Sequence, residues 1–158
     1  MINTQFDDLF NDLVGQKTAI SLLKATLVKG HIAPAYLFSG PNGIGRKLAA
    51  MRFLEGVLAK DNLTKSNRSR LENLNHPDLM MVEPSYLFQG NIIPRSIANE
   101  AKINRKSPPQ IRLDQIRDVT RFLAKKPIES RLGMVLIDEV ETMNEASSNA
   151  LLKTLEEP

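Results

Sequence analysis

Two groups of residues in this chain have the types and spacing to do chemistry. The first is Gly40-Pro41-Asn42-Gly43-Ile44-Gly45-Arg46-Lys47. Its glycines at 40 and 45 fit GxxxxGK[ST], a loop that cradles phosphates with backbone N–H groups, sets a lysine against the β- and γ-phosphates and a hydroxyl on Mg²⁺. Arg46 stands in the lysine position and Lys47 in the hydroxyl position. Moving the frame by one residue requires glycines at Pro41 and Arg46, so the mismatch is real. A guanidinium is longer and bulkier than an ammonium, and Lys47 puts a cation where a divalent metal would sit. The expectation is weak nucleotide binding at Gly40, Gly43, Gly45, Arg46 and Lys47, and little hydrolysis.

The second group is Asp138-Glu139, directly after the apolar run Met134-Val135-Leu136-Ile137. An acidic pair at the carboxyl end of a buried strand lies where ligands of parallel sheets bind. In a working site the aspartate would hold Mg²⁺ and the glutamate would orient water. The alternative for Asp138 is a carboxylate pairing with Arg46 or Lys47 across an empty loop. A third feature is the basic series Arg112, Arg117, Arg121 and Lys125. The last three recur every four residues, a spacing that can track duplex phosphates or simply form a solvated helix face. Tyr86 and Phe88 could stack on bases or clamp their own loop.

These residues need elements to position them. Apolar residues at helical spacing predict helices over 14–29, 45–60 and 113–125, the first stopped by Gly30. Ala35-Tyr36-Leu37-Phe38 and Leu79 to Val82 predict buried strands, as does 134–137. Thr142-Met143-Asn144-Glu145 matches a capping box for a last helix lined by Ala146, Ala150, Leu151 and Leu155. Residues 60–75 are polar and basic and predict a surface connection. Residues 84–110 contain Gly90, Pro94, Pro108 and Pro109 with several basic residues, and predict an exposed insertion with one short helix near 96–103 and no packed strand. Alternating strands and helices give an α/β fold with a parallel sheet.

Composition narrows the rest. At 158 residues the chain fits one domain, which buries about two-thirds of its unfolded surface. It has no cysteine, which excludes disulfides, thiolate zinc sites and cysteine nucleophiles. No apolar run approaches the roughly 20 residues of a membrane span, and the first residues lack a basic leader, so a cytoplasmic protein without membrane attachment is expected. The net charge of +3 is too small to argue nucleic-acid binding by itself.

The chain resembles the AAA+ modules of bacterial DNA polymerase III clamp-loader subunits, most closely the delta-prime branch. The resemblance is carried by Leu13-Val14-Gly15-Gln16, by 35–41, by His76-Pro77-Asp78-Leu79, by Ile111-Arg112 with Gln115-Ile116-Arg117, by Ile137-Asp138-Glu139 and by the run from Met143 to Pro158. The closing Asn149 to Pro158 is the most specific of these. The resemblance implies an AAA+ P-loop NTPase-type sheet and a subunit that helps place a sliding clamp on primed DNA without hydrolysing ATP itself. It also implies partnership with the delta and tau/gamma subunits, indirect contact with the clamp, and Arg112 and Arg117 as DNA-backbone residues. The alternative is an ATP-hydrolysing tau/gamma-like subunit, and a free-standing DNA-binding module is a third reading. The four-cysteine zinc module of many relatives is missing from 59–75. The resemblance also implies that the sensor-1 strand, the segment with the arginine finger, the lid and the collar lie beyond this sequence. AAA+ sheets run 5-1-4-3-2, so the strand between 35–38 and 134–137 is one of the missing parts, and the 158 residues alone are expected to fold poorly through exposed strand edges.

Overall fold

A computed structural model describes residues 6–59, 66–103 and 106–156. The chain divides into two compact units, 1–79 with 127–132, and 80–126 with 133–158. Each is described by itself.

The first unit is helical. Helix α1, Lys17–Lys29, starts behind Gly15 and Gln16, both in the left-handed region, and ends at Gly30, whose N–H donates to Thr26 O. The sequence pattern places this start at 14; the two left-handed residues delay it to 17, and Val14 is exposed. Helix α2, Arg46–Ala59, buries Ala49, Phe53 and Ala59 against Phe6, Leu9, Phe10, Leu13 and Leu27. Gly56 lets α1 approach, since a Cβ there would lie 2.4 Å from Leu27 Cδ1 and 2.8 Å from Leu9 Cδ2. A short helix, α3, Ser66–Glu72, follows and buries Leu71. The polar connection expected over 60–75 therefore contains a helix from 66 onward, while 60–65 lie outside the described residues.

Residues 35–38 do not form the expected buried strand. They join no ladder among the described residues, and Leu37 is 77% exposed, while Phe38 packs on the core. Backbone donors and acceptors make a strand only against a neighbouring chain segment, and none pairs with this one among the described residues. Tyr36 instead sets its ring edge-on to Phe53 at 4.7 Å and accepts the Ala33 N–H on its hydroxyl.

The second unit carries the sheet. Strand β1, Leu79–Val82, pairs with β4, Met134–Ile137, in a parallel arrangement. Between them stand β2, Ser85–Phe88, and β3, Asn91–Pro94, followed by α4, Arg95–Glu100, and α5, Leu113–Leu123. Strands β2 and β3 are an antiparallel hairpin with Tyr86 opposite Ile93 and Leu87 opposite Ile92, turning at Gln89 and Gly90, both at positive φ. This corrects the expectation that 84–110 holds no packed strand. Gln89-Gly90 between two apolar runs is a two-residue hairpin turn, and Pro94 is tolerated because it closes the ladder opposite Ser85. The chain then closes with α6, Glu145–Glu156. Its cap is Asn144, whose Oδ1 accepts from Ser147 N at 2.9 Å and Ser147 Oγ at 2.8 Å. Thr142, the expected cap, ends a 3-10 turn over Val140–Thr142 and donates its hydroxyl to Glu139 O. Val82, Ile111, Ile116 and Val119 form the core here, with Val135, Ile137 and Leu151 against it. Among the described residues no helix is long and apolar enough to cross a membrane.

Candidate functional site

The glycine loop lies in the first unit, between the 35–38 segment and the start of α2. Gly40, Gly43 and Gly45 all have positive φ, at 151°, 83° and 89°. Space adds a second reason for two of them. A Cβ on Gly40 would sit 2.5 Å from Ile44 Cδ1, and one on Gly45 would sit 2.5 Å from Leu13 Cδ1. The loop thus turns tightly onto the first turn of α2, where Ala49 N donates to Gly45 O at 2.8 Å. Arg46 is the first residue of that helix. Its Nη2 reaches back into the loop and donates to Asn42 Oδ1 at 2.7 Å, so the guanidinium is held by the loop it follows. Lys47 is exposed beside it.

Asp138 and Glu139 lie in the second unit at the carboxyl end of β4. Asp138 N donates to Val82 O at 2.9 Å, which puts the acidic pair level with the end of β1. Glu139 is fixed twice over. Its backbone is left-handed, φ 53° and ψ 54°, and its carbonyl accepts from Thr142 N and Thr142 Oγ1. Its carboxylate takes Arg95 Nη1 on both oxygens, at 2.7 and 2.8 Å. Arg95, the first residue of α4, has nothing in the sequence to set it apart from the other basic residues of the insertion. Its guanidinium is held protonated above all by the hydrogen bond to Glu139, with Asp138 and Glu83 adding attraction through space.

The basic series takes a different form from the one its spacing implies. Arg117 pairs with Asp114 at 3.0 Å and Arg121 with Asp118 at 2.6 Å, each partner one turn earlier on α5. The exposed face alternates in sign rather than forming a positive stripe, and phosphates would have to compete with two aspartates for those guanidinia. Arg112 caps the helix with its backbone: its N–H donates to Gln115 Oε1 at 2.9 Å. Gln115 is a junction that composition hides. Its Oε1 also accepts from Ser85 Oγ at 2.8 Å and its Nε2 donates to Glu83 O at 2.9 Å, tying α5 to the end of β1 and the start of β2.

A further pair of residues carries weight in the first unit. Asp78 is 2% exposed, yet its carboxylate accepts the N–H groups of Ile128, Glu129 and Ser130 at 2.6 to 2.7 Å and the Ser130 hydroxyl at 3.0 Å. Burial pushes its pKa up, but these four donors outweigh that and hold it at about 2. His76 Nδ1 accepts the Asp78 N–H at 3.1 Å and sets the turn. The other is Arg52, 4% exposed within the apolar face of α2, which reaches Asp12 and Glu72 at 2.6 Å and Glu55 at 3.3 Å.

The family described as DNA polymerase III, delta subunit, matches residues 15–158. Among curated relatives, subunit tau/gamma of Haemophilus influenzae is 32% identical over 149 residues, covering 94% of this chain and 19% of that protein. Subunit tau of Escherichia coli is 30% identical, covering 94% and 20%. Subunit delta' of Bacillus subtilis is 27% identical over 148 residues, covering 90% and 38%. The chain thus spans a minor part of each of these relatives. No solved structure matches it. With the match running from Gly15 to the last residue and taking in both the glycine loop and the acidic pair, the chain belongs to the DNA polymerase III clamp-loader family.

Proposed function

We propose that this chain is part of a delta-prime-type clamp-loader subunit, which supports assembly of the loader and does not hydrolyse ATP. One observation carries the reading: Arg46 replaces the phosphate-loop lysine and closes on Asn42 at 2.7 Å. The positive-φ backbone of Gly40, Gly43 and Gly45 fits a phosphate at the start of α2. The side chains do not fit metal-assisted hydrolysis, because Lys47 supplies a cation where the metal-binding hydroxyl belongs and Arg95 engages Glu139. Partners on this reading are the delta and tau/gamma subunits, with the sliding clamp and primed DNA met in the assembly. Arg112 and Arg117 are its candidate contacts to the DNA backbone.

A tau/gamma-type motor is the second reading, favoured by the 30% and 32% identity to tau-type relatives against 27% to delta'. Phosphate release by the purified protein, alone and with primed DNA and clamp, separates the two. The first reading expects no turnover by the protein alone and clamp loading once delta and tau/gamma are added. DNA-stimulated turnover by the protein alone would overturn it in favour of the second.

A further inference from the structure

The acidic pair poses a question that loss of hydrolysis does not answer: what Glu139 does in a chain whose phosphate loop is altered. We infer that Glu139 is a docking anchor, which through Arg95 holds the hairpin and α4 to the carboxyl end of β4. Three observations lead there. The carboxylate is bidentate on one guanidinium nitrogen, and both side chains are less than one-third exposed, so water competes weakly for either. Arg95 is the residue at which the returning strand β3 becomes α4, with its own N–H on Pro84 O at 2.9 Å, so its side chain is aimed by the hairpin base. Ser96 repeats the arrangement on the neighbouring strand, giving its hydroxyl and its N–H to Glu83 at the end of β1. Adjacent residues of the insertion therefore grip carboxylates at the ends of the two paired strands. Glu139 is bent into its left-handed conformation by the Thr142 contacts, which present the carboxylate to Arg95.

Arg95 is a positioning residue in this scheme, and the pair fixes the insertion whether or not nucleotide is present. Hydrogen exchange of the amides of 91–100, measured without nucleotide, tests it in the protein and in Arg95→Ala, Glu139→Gln and the double variant. Each single change is expected to speed exchange there about fivefold, leaving α2 unchanged, and the double variant is expected to go no further than either single. Unchanged exchange in both single variants would overturn the inference. So would multiplied effects in the double variant, since independent contacts would then hold the insertion. Arg95→Lys keeps a cation in the same space and is expected to retain most of the protection. A fully exchanging segment in Arg95→Lys would show that guanidinium packing rather than the ion pair is responsible, and would also overturn it. Because the readout needs neither ATP nor partner subunits, its failure leaves the delta-prime reading standing.

Discussion

Replacing Asp78 with asparagine keeps the size of a 2%-exposed side chain and removes the charge that three consecutive backbone N–H groups share. One carbonyl oxygen remains where two carboxylate oxygens stood, and the new NH₂ group faces donors. Losing charge-assisted bonds and leaving at least one buried N–H without an acceptor costs about 3 kcal/mol. The pH dependence expresses the same bonds in another form. The folded pKa lies at about 2 against an ordinary 3.8, so the unfolded chain takes up the proton first as pH falls. The carboxylate's contribution is complete above about pH 4 and is lost as pH drops through 2. A difference of nearly two pH units corresponds to about 2.5 kcal/mol. Urea denaturation of the protein and of Asp78→Asn at pH 7, 4 and 2.5 reads both quantities. The gap between the two proteins should be largest at pH 7 and should narrow by about 1 kcal/mol or more by pH 2.5. Parallel stability curves across that range would refute the reasoning, because they would show that the donors do not depend on the charge.

Three other changes have outcomes fixed by geometry. Gly56→Ala should destabilise by about 1 to 3 kcal/mol in thermal or urea unfolding, since its methyl group meets Leu27 and Leu9 inside 3 Å. Arg52→Met should cost about 2 kcal/mol, less than a fully buried pair would, because Asp12 and Glu72 are 38% and 49% exposed and can rehydrate. The same variant should return the lowered pKa of Asp12 towards the ordinary range, which NMR titration can follow. Asn144→Ala removes the acceptor for Ser147 and should cost about 1 kcal/mol, with faster exchange confined to the first turn of α6.

The parts of the fold legible in the sequence are those where apolar residues repeat at one period. Phe53 and Leu58 on α2, Ile116 and Val119 on α5, and the apolar run of β4 all fall on their pattern. The hairpin was hidden because Gly90 and Pro94 read as breakers, when one makes the turn and the other closes the ladder. Helix α3 is hidden by its polarity, since among its residues of described burial only Leu71 is buried, and its arginines find partners distant in sequence. Residues 35–38 form no strand despite their apolar run, because such a run signals burial or pairing without supplying the partner. At the candidate site, the glycine loop and the acidic pair were visible as residue types in order. The roles of Arg95, Gln115 and Asp78 are not legible there, although the last two stand in segments that carry the family resemblance, because those roles depend on groups 44, 30 and 50 positions away.

The Asp78 clamp also bears on the order in which the chain folds. Its acceptor and donors are 50 to 52 positions apart, so no bond of the clamp can form until the chain has made that whole excursion and returned. Closing a loop of that length costs on the order of 3 kcal/mol in chain entropy before any contact rewards it. A contact of such separation belongs late on the route, after α1 and α2 have met. Substitutions at Asp78 should then leave the refolding rate nearly unchanged and appear almost wholly as faster unfolding.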